Sequence, residues 1–132
     1  MMGLPGTQTS MGRLRIKVHR GSTAVVLGLQ GQLDLYTKPF LRDRLNEVLT
    51  ASAPHPPGVV VDLSELEFCD SSGVSMLIAA RYRLKDAGRP LALAGAHGIC
   101  DQVLHRTGLH RVFHCYPTVA EAEIALAEQA HP

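Results

Sequence analysis

Apolar residues recur along the chain with two different periods, and the switches between them divide it into elements. Over residues 13–18, Leu14, Ile16 and Val18 alternate with basic side chains, the period of a half-exposed strand. His19-Arg20-Gly21-Ser22 is a turn, and residues 23–30 form a second, more apolar strand, so the pair reads as a hairpin. Gly31 to Tyr36 leaves the sheet. Thr37 is a suitable N-cap, with Pro39 tolerated in the first helical turn. Leu41, Leu45, Val48 and Leu49 then share one helical stripe, which a proline-rich surface loop over 51–58 ends.

A third strand over 59–63 starts Val59-Val60-Val61, apolar on both faces as in a covered strand. The next helix places Val74, Leu77, Ile78 and Tyr82 on a common face and stops at Ala87-Gly88, with Pro90 just beyond. A short strand at 91–94 leads through Gly95-Ala96-His97-Gly98 to a helix over 99–106. A last strand at 112–115 precedes a final amphipathic helix, capped by Thr118 and running through Ile124 and Leu126. The order β-β-α-β-α-β-α-β-α predicts an α/β fold: a mixed β-sheet with an opening hairpin, then alternating strands and helices joined by right-handed crossovers. In such sheets functional loops gather at the carboxyl ends of the parallel strands. That rule groups residues 34–37, 70–73 and 95–98.

Composition narrows the class. The 132 residues are one domain by length, expected to run over 13–127 between a disordered lead-in at 1–12 and a tail at 128–132. Hydrophobic residues are 45% of the chain but aromatics only 5%, so the core must be aliphatic. A formal net charge of +1 gives no general pull toward nucleic acid or an anionic membrane. No apolar run approaches the roughly 20 residues that cross a bilayer, and the first residues lack the basic and apolar regions of a signal peptide. Cys69, Cys100 and Cys115, odd in number and without paired spacing, fit a reducing cytoplasm.

The chemistry concentrates in Leu66-Glu67-Phe68-Cys69-Asp70-Ser71-Ser72-Gly73-Val74. Two hydroxyls and a carboxylate stand where a strand gives way to a helix N-terminus, whose free N–H groups and dipole favour an anion. A serine there is well placed to carry a phosphate. Asp70 or Ser71 can accept hydrogen bonds from the first-turn N–H groups. Gly73 leaves the approach to Ser72 open, and Cys69 is expected to point into the core. Asp34, on the neighbouring loop, either closes an Asx-type turn and caps the following helix, or orients the Ser72 hydroxyl or contacts a partner.

Gly31-Gln32-Leu33-Asp34 with Thr37 and Pro39, Val60-Val61-Asp62-Leu63-Ser64, Phe68-Cys69-Asp70-Ser71-Ser72-Gly73 and Thr107-Gly108-Leu109 together resemble the STAS domain of bacterial anti-sigma factor antagonists. The resemblance covers about residues 13–127. It departs from the usual family pattern at Cys69, in place of a larger aliphatic residue, and at Ser75, in place of a small glycine. It implies that Ser72 is phosphorylated by a partner that is both anti-sigma factor and serine kinase, with a histidine-kinase-like ATPase fold. The unphosphorylated form would bind that partner and free a sigma factor, as in stress-response regulation, and a metal-dependent serine phosphatase would reset it. The contact set so implied is Asp34, Thr37, Asp70, Ser71, Ser72, Gly73 and His97. No cofactor, metal, membrane or direct nucleic-acid contact is implied, and the protein is expected to be a binding module rather than an enzyme.

Three other readings compete. Asp70-Ser71-Ser72-Gly73 could be a helix cap and nothing more. The domain could be a non-switching scaffold subunit of a larger regulatory or transport complex. Ser72 could be an enzymatic nucleophile with His97 as base. The histidines do not follow a ligand pattern: His97 with Cys100, and the set His105, His110, His114 and Cys115, lack the four converging groups of a zinc site. Arg81, Arg83 and Lys85 read as an exposed helix face, and no Gly-x-x-x-x-Gly-Lys loop signals nucleotide hydrolysis.

Overall fold

The computed structural model describes residues 8–11, 13–21, 23–50 and 58–129. In chain order the elements are β1 (Gln8–Met11), β2 (Leu14–Arg20), β3 (Ala24–Leu33), α1 (Lys38–Thr50), β4 (Gly58–Cys69), α2 (Ser71–Asp86), β5 (Leu91–Ala94), α3 (Gly98–Arg106), β6 (His114–Tyr116) and α4 (Val119–Gln129). One 3-10 turn, Leu109–Arg111, separates α3 from β6. The strands form a single sheet in sequence order, β1-β2-β3-β4-β5-β6. β1, β2 and β3 pair antiparallel, and β3 through β6 pair parallel. The mixed α/β architecture and the β2–β3 hairpin match the pattern of the sequence.

Sequential parallel strands joined by right-handed crossovers must carry their connecting helices on one face. The packing follows this rule. Leu14, Ile16, Val25, Leu27, Leu29, Val59, Val61 and Leu63 meet the buried stripes of α1, α2 and α3 in one aliphatic core. α4 follows the last strand, so no crossover constrains it, and it covers the opposite face. There Ala122 and Leu126 pack on Ala24, Val26, Val60, Ala92 and Ala94, whose small side chains let the helix approach closely. β4 is therefore covered on both faces, with Val60 facing one way and Val59 and Val61 the other.

Several expectations need correction. Residues 8–11, expected within a disordered lead-in, form β1 against β2, with Gln8 opposite Lys17 and Met11 opposite Leu14. The rest of that lead-in, residues 51–57 of the proline-rich loop and the end of the tail lie outside the described residues. Tyr82 is exposed and Ala80 and Leu84 are buried in its stead, because a true 3.6-residue repeat carries the face from Val74 through Leu77 to Leu84. Ile124 is likewise exposed, and Ala122 and Leu126 make the contact of α4. Val112 lies outside the last strand, in the loop after the 3-10 turn, where it is exposed beside buried Phe113. Among the described residues no helix is long and apolar enough to cross a membrane.

Candidate functional site

β3 and β4 outrun the rest of the sheet, and the site is built on that extension. β5 pairs with β4 only from Val59 to Asp62. β4 then takes one extra residue between Gly28 and Gln30 of β3 and another between Gly31 and Gln32. These bulges keep the two strands paired up to Leu33 and Cys69, which end side by side. At the first bulge the Asp62 carboxylate accepts the Ser64 N–H at 3.0 Å. At Gly31 the backbone takes φ 106°, with the Arg13 carbonyl where a side chain would stand. That close approach lets Gln32 N–H reach the Arg13 carbonyl at 3.0 Å and brings Arg13 beside Asp34.

The loop after β3 is a closed Asx-type turn. One Asp34 carboxylate oxygen accepts the Tyr36 N–H at 2.9 Å and the Thr37 N–H at 3.1 Å. The other accepts from Arg13 at 2.6 Å. Thr37 Oγ1 accepts the Asp34 N–H at 2.9 Å and donates to the Gln32 carbonyl at 2.9 Å. Asp34 and Thr37 are 6% and 4% exposed, so both hold the turn from inside. Burial alone would raise the Asp34 carboxyl; the Thr37 and Tyr36 amides, the Arg13 guanidinium and the Thr37 hydroxyl together outweigh it and hold the group below its ordinary value. The Asx-type turn expected of Asp34 is therefore present, with both carboxylate oxygens engaged in it or with Arg13.

What the turn displays is apolar. Leu35 and Tyr36 at its tip are 54% and 79% exposed. Sequence reading passed over both, along with Arg13. The signal was available: two large side chains in the segment that leaves the sheet.

Asp70 links this turn to the serine motif. Its N–H donates to the Leu33 carbonyl at 3.3 Å, and its side chain accepts the Gly73 N–H at 3.0 Å as the N-cap of α2. Asp70, not Ser71, therefore fills the capping role. Ser71 and Ser72 are the first two helical residues, Ser71 exposed and Ser72 half-buried. Among the described residues no hydrogen bond engages either hydroxyl. Gly73 is buried at the third position, and a Cβ there would lie 2.7 Å from the Leu33 carbonyl oxygen and 3.2 Å from Cys69 Sγ. Only glycine lets the first turn of α2 rest on the strand ends. Cys69 lies in the core as expected, where its hydrogen bond with the Cys100 thiol and burial push it far above its ordinary value. It is a protonated packing group.

His97 stands apart from this cluster. Its Nε2 lies 2.9 Å from the Ser64 carbonyl, where β5 ends, six residues before Asp70 on β4. At about 3.3 Å per residue that is at most roughly 20 Å of strand, less what the bulges take up. The expectation that residues 95–98 join 34–37 and 70–73 holds for the latter two only, since the extension carries them past β5. His97 is accordingly not placed as a base for Ser72. His105 and His110 stack with ring centres 4.2 Å apart, and among the described residues no three His, Cys, Asp or Glu side chains converge as metal ligands.

A bulged β3–β4 extension ending in an Asx turn and a serine-bearing helix cap defines a small α/β domain with one prepared surface. The chain belongs to the STAS domain family, whose model matches residues 14–122. It is 28% identical over 104 residues to the anti-sigma-F factor antagonist RsfB of Mycobacterium tuberculosis, covering 79% of this chain and 80% of that protein. An anti-sigma factor antagonist from Mycobacterium paratuberculosis superposes with a TM-score of 0.76 at 27% identity, over 96% of this chain and 99% of that one. SpoIIAA in its unphosphorylated form superposes with a TM-score of 0.67 at 20% identity, over 81% and 91%, and shares the fold. Its phosphorylated form from Bacillus gives 0.62 at 20% identity, over 81% and 95%.

Proposed function

We propose that the protein is an anti-sigma factor antagonist that works by partner switching in the bacterial cytoplasm, as a binding module and not an enzyme. Unphosphorylated, it binds an anti-sigma factor that is also a serine kinase with a histidine-kinase-like ATPase fold. Phosphorylation of Ser72 releases it, and a serine phosphatase returns it to the binding state. The observation that carries this reading is the position of Ser72: second residue of α2, behind the Asp70 cap, whose N–H bond to the Leu33 carbonyl ties it to the turn that displays Leu35 and Tyr36. Relatives named anti-sigma-F factor antagonists, and a structural neighbour solved in phosphorylated and unphosphorylated forms, support it.

The electrostatics are adequate to the task. A phosphate adds about −1.5 to −2 charges. At about 6 Å from a carboxylate across an interface, with an effective dielectric near 20, repulsion costs about 3 kcal/mol per unit charge pair. That weakens binding on the order of a hundredfold. The helix N-terminus offsets only about 0.3–1 kcal/mol, and it does so in the free protein as well.

The test uses wild type, Ser72→Ala and Ser72→Asp as baits in lysate of the source organism, with the retained proteins identified by mass spectrometry. Wild type and Ser72→Ala should retain a histidine-kinase-like ATPase that Ser72→Asp loses. Incubation of that ATPase with ATP should phosphorylate wild type and leave Ser72→Ala unlabelled. Labelling of Ser72→Ala equal to wild type refutes the assignment of Ser72. Retention of the same proteins by all three baits refutes switching and favours a constitutive scaffold.

A further inference from the structure

The turn that displays Leu35 and Tyr36 is tied to the sheet from outside. Asp34 and Thr37 close it on themselves, through one carboxylate oxygen and the Thr37 hydroxyl. The other carboxylate oxygen is held by Arg13, 21 residues earlier, in the turn that joins β1 to β2. Arg13 is fixed at its own end as well. Leu14 pairs with Gly31, and the Arg13 carbonyl, which accepts the Gln32 N–H at 3.0 Å, lies where a Gly31 side chain would stand. The guanidinium therefore reaches Asp34 from a rigid base.

This tether exceeds what the turn needs to close. An ion pair with one largely solvated partner adds little to stability, and the Arg13 side chain is 56% exposed. What it adds is definition at the tip. Leu35 and Tyr36 project into solvent, so the core does little to order them. Side chains that are loose before docking lose affinity when binding orders them, and holding them beforehand removes that cost. Asp34 transmits the hold. One of its oxygens accepts the Tyr36 and Thr37 amides while the other accepts from Arg13, so a carboxyl that turns when Arg13 is lost acts directly on the backbone of the tip.

We propose that Arg13 is a positioning residue for the phosphorylation of Ser72: acting through Asp34, it holds Leu35 and Tyr36 in the pose on which the kinase docks. This role rests on the reading of Ser72 as the phosphorylated residue and of the partner as its kinase. In it Arg13 touches neither the kinase nor the transferred phosphate.

Steady-state phosphorylation of the full chain by the ATPase retained on the wild-type bait tests it. Arg13→Gln should raise KM for the protein substrate about tenfold and leave kcat within about twofold, the signature of lost docking without lost chemistry. Arg13→Lys, which keeps the cation but not the planar fork, should bring KM back to within about threefold of wild type. Asp34→Asn keeps an acceptor for the Tyr36 and Thr37 amides and removes the charge that holds Arg13. It should raise KM as Arg13→Gln does, and the two changes together should raise it no further, because both act through one carboxylate. In 15N spectra of free Arg13→Gln, the Tyr36 and Thr37 amides should shift while those of residues 71–74 stay in place. Wild-type KM in Arg13→Gln, a fall in kcat at unchanged KM, or no recovery in Arg13→Lys would each overturn the proposal. Additive effects of Arg13→Gln and Asp34→Asn would mean that Arg13 meets the kinase directly, which overturns it too. Ser72→Ala, run alongside, keeps the two readings apart: labelling equal to wild type there strikes the assignment of Ser72, whereas a wild-type KM in Arg13→Gln strikes Arg13 alone.

Discussion

Gly73→Ala sets two forces against each other, and their magnitudes decide the outcome. Alanine exceeds glycine in helix propensity by up to about 1 kcal/mol, so on local grounds the change stabilises α2. The tertiary surroundings oppose it. The added methyl would lie 2.7 Å from the Leu33 carbonyl oxygen, 2.8 Å from Leu33 Cγ and 3.2 Å from Cys69 Sγ. The first of these atoms is backbone in a paired strand and cannot swing away. Relief requires α2 to lift, which lengthens the Asp70 N–H bond to that same carbonyl, already 3.3 Å. Overpacking of this kind costs about 1–3 kcal/mol, and a lost hydrogen bond about 1 kcal/mol more. The net expectation is a loss of about 1–3 kcal/mol, seen in urea unfolding as a lower midpoint at unchanged slope. Ser75→Ala, at an exposed position two residues on, isolates propensity and should change stability by no more than about 0.5 kcal/mol. Because Ser72 precedes Gly73, the lifted turn should also slow phosphorylation by the cognate kinase. A Gly73→Ala protein as stable as wild type, or more so, would refute the close-contact argument.

Other perturbations probe the remaining parts of the surface. Asp70→Ala should cost about 1 kcal/mol through loss of the cap on Gly73 N–H, whereas Asp70→Asn should keep most of it; equal losses in thermal melts would rule out capping as the cause. Asp34 has a folded-state pKa below its unfolded value of 3.8, so its contribution is fully present above that pH and is lost as pH falls through the folded value. The stability gap between wild type and Asp34→Asn should therefore be constant from neutral pH down to about 4 and narrow below it; a constant gap down to pH 2 would contradict the assignment. Leu35→Ser and Tyr36→Ser should leave the melting temperature within about 2 °C of wild type, since neither side chain is buried, yet weaken partner binding at least tenfold by calorimetry. Undiminished affinity would remove this pair from the interface.

Elements whose period comes from burial were legible in the sequence. Leu14, Ile16 and Val18 mark β2 and Leu41, Leu45 and Val48 mark α1, each against one packed layer, and the unbroken Val59 to Val61 marks β4, which lies between two. Apolar positions off the buried stripe were not. Tyr82 and Ile124 are exposed although Ala80 and Leu84, and Ala122 and Leu126, on either side of them are buried, and apolar character alone does not say which face a residue takes. β1 was missed because Gln8, Thr9 and Ser10 carry no apolar signal; its pairing with β2 is a property of the partner strand. The site was legible as a motif and not as a geometry. Asp-Ser-Ser-Gly announced a capped helix start, but the two bulges that carry it past β5 leave no clear residue signature. His97 was grouped with the motif for that reason.

A switch needs a modification that acts differently on the free and bound states; one that shifts both equally changes nothing. In the free protein a phosphate on Ser72 would meet opposing small terms, attraction from the helix N-terminus and repulsion from Asp70, both in water. Asp34 adds little because Arg13 pairs it at 2.6 Å. The turn beneath has no slack to move, since Gly73 rests on Leu33 and Cys69 in a filled core. Under the proposed switch, free energy would therefore change where a partner strips water from the phosphate, with the domain itself staying as it is. Phosphorylated protein, prepared with the cognate kinase, should melt within about 3 °C of the unphosphorylated form, as expected for a net term below about 1 kcal/mol. Its amide shifts should be confined to residues 33–37 and 68–76. Shifts spreading through β5, α3 and α4 would mean that phosphorylation works by repacking the domain, and the rigid-surface account would fall.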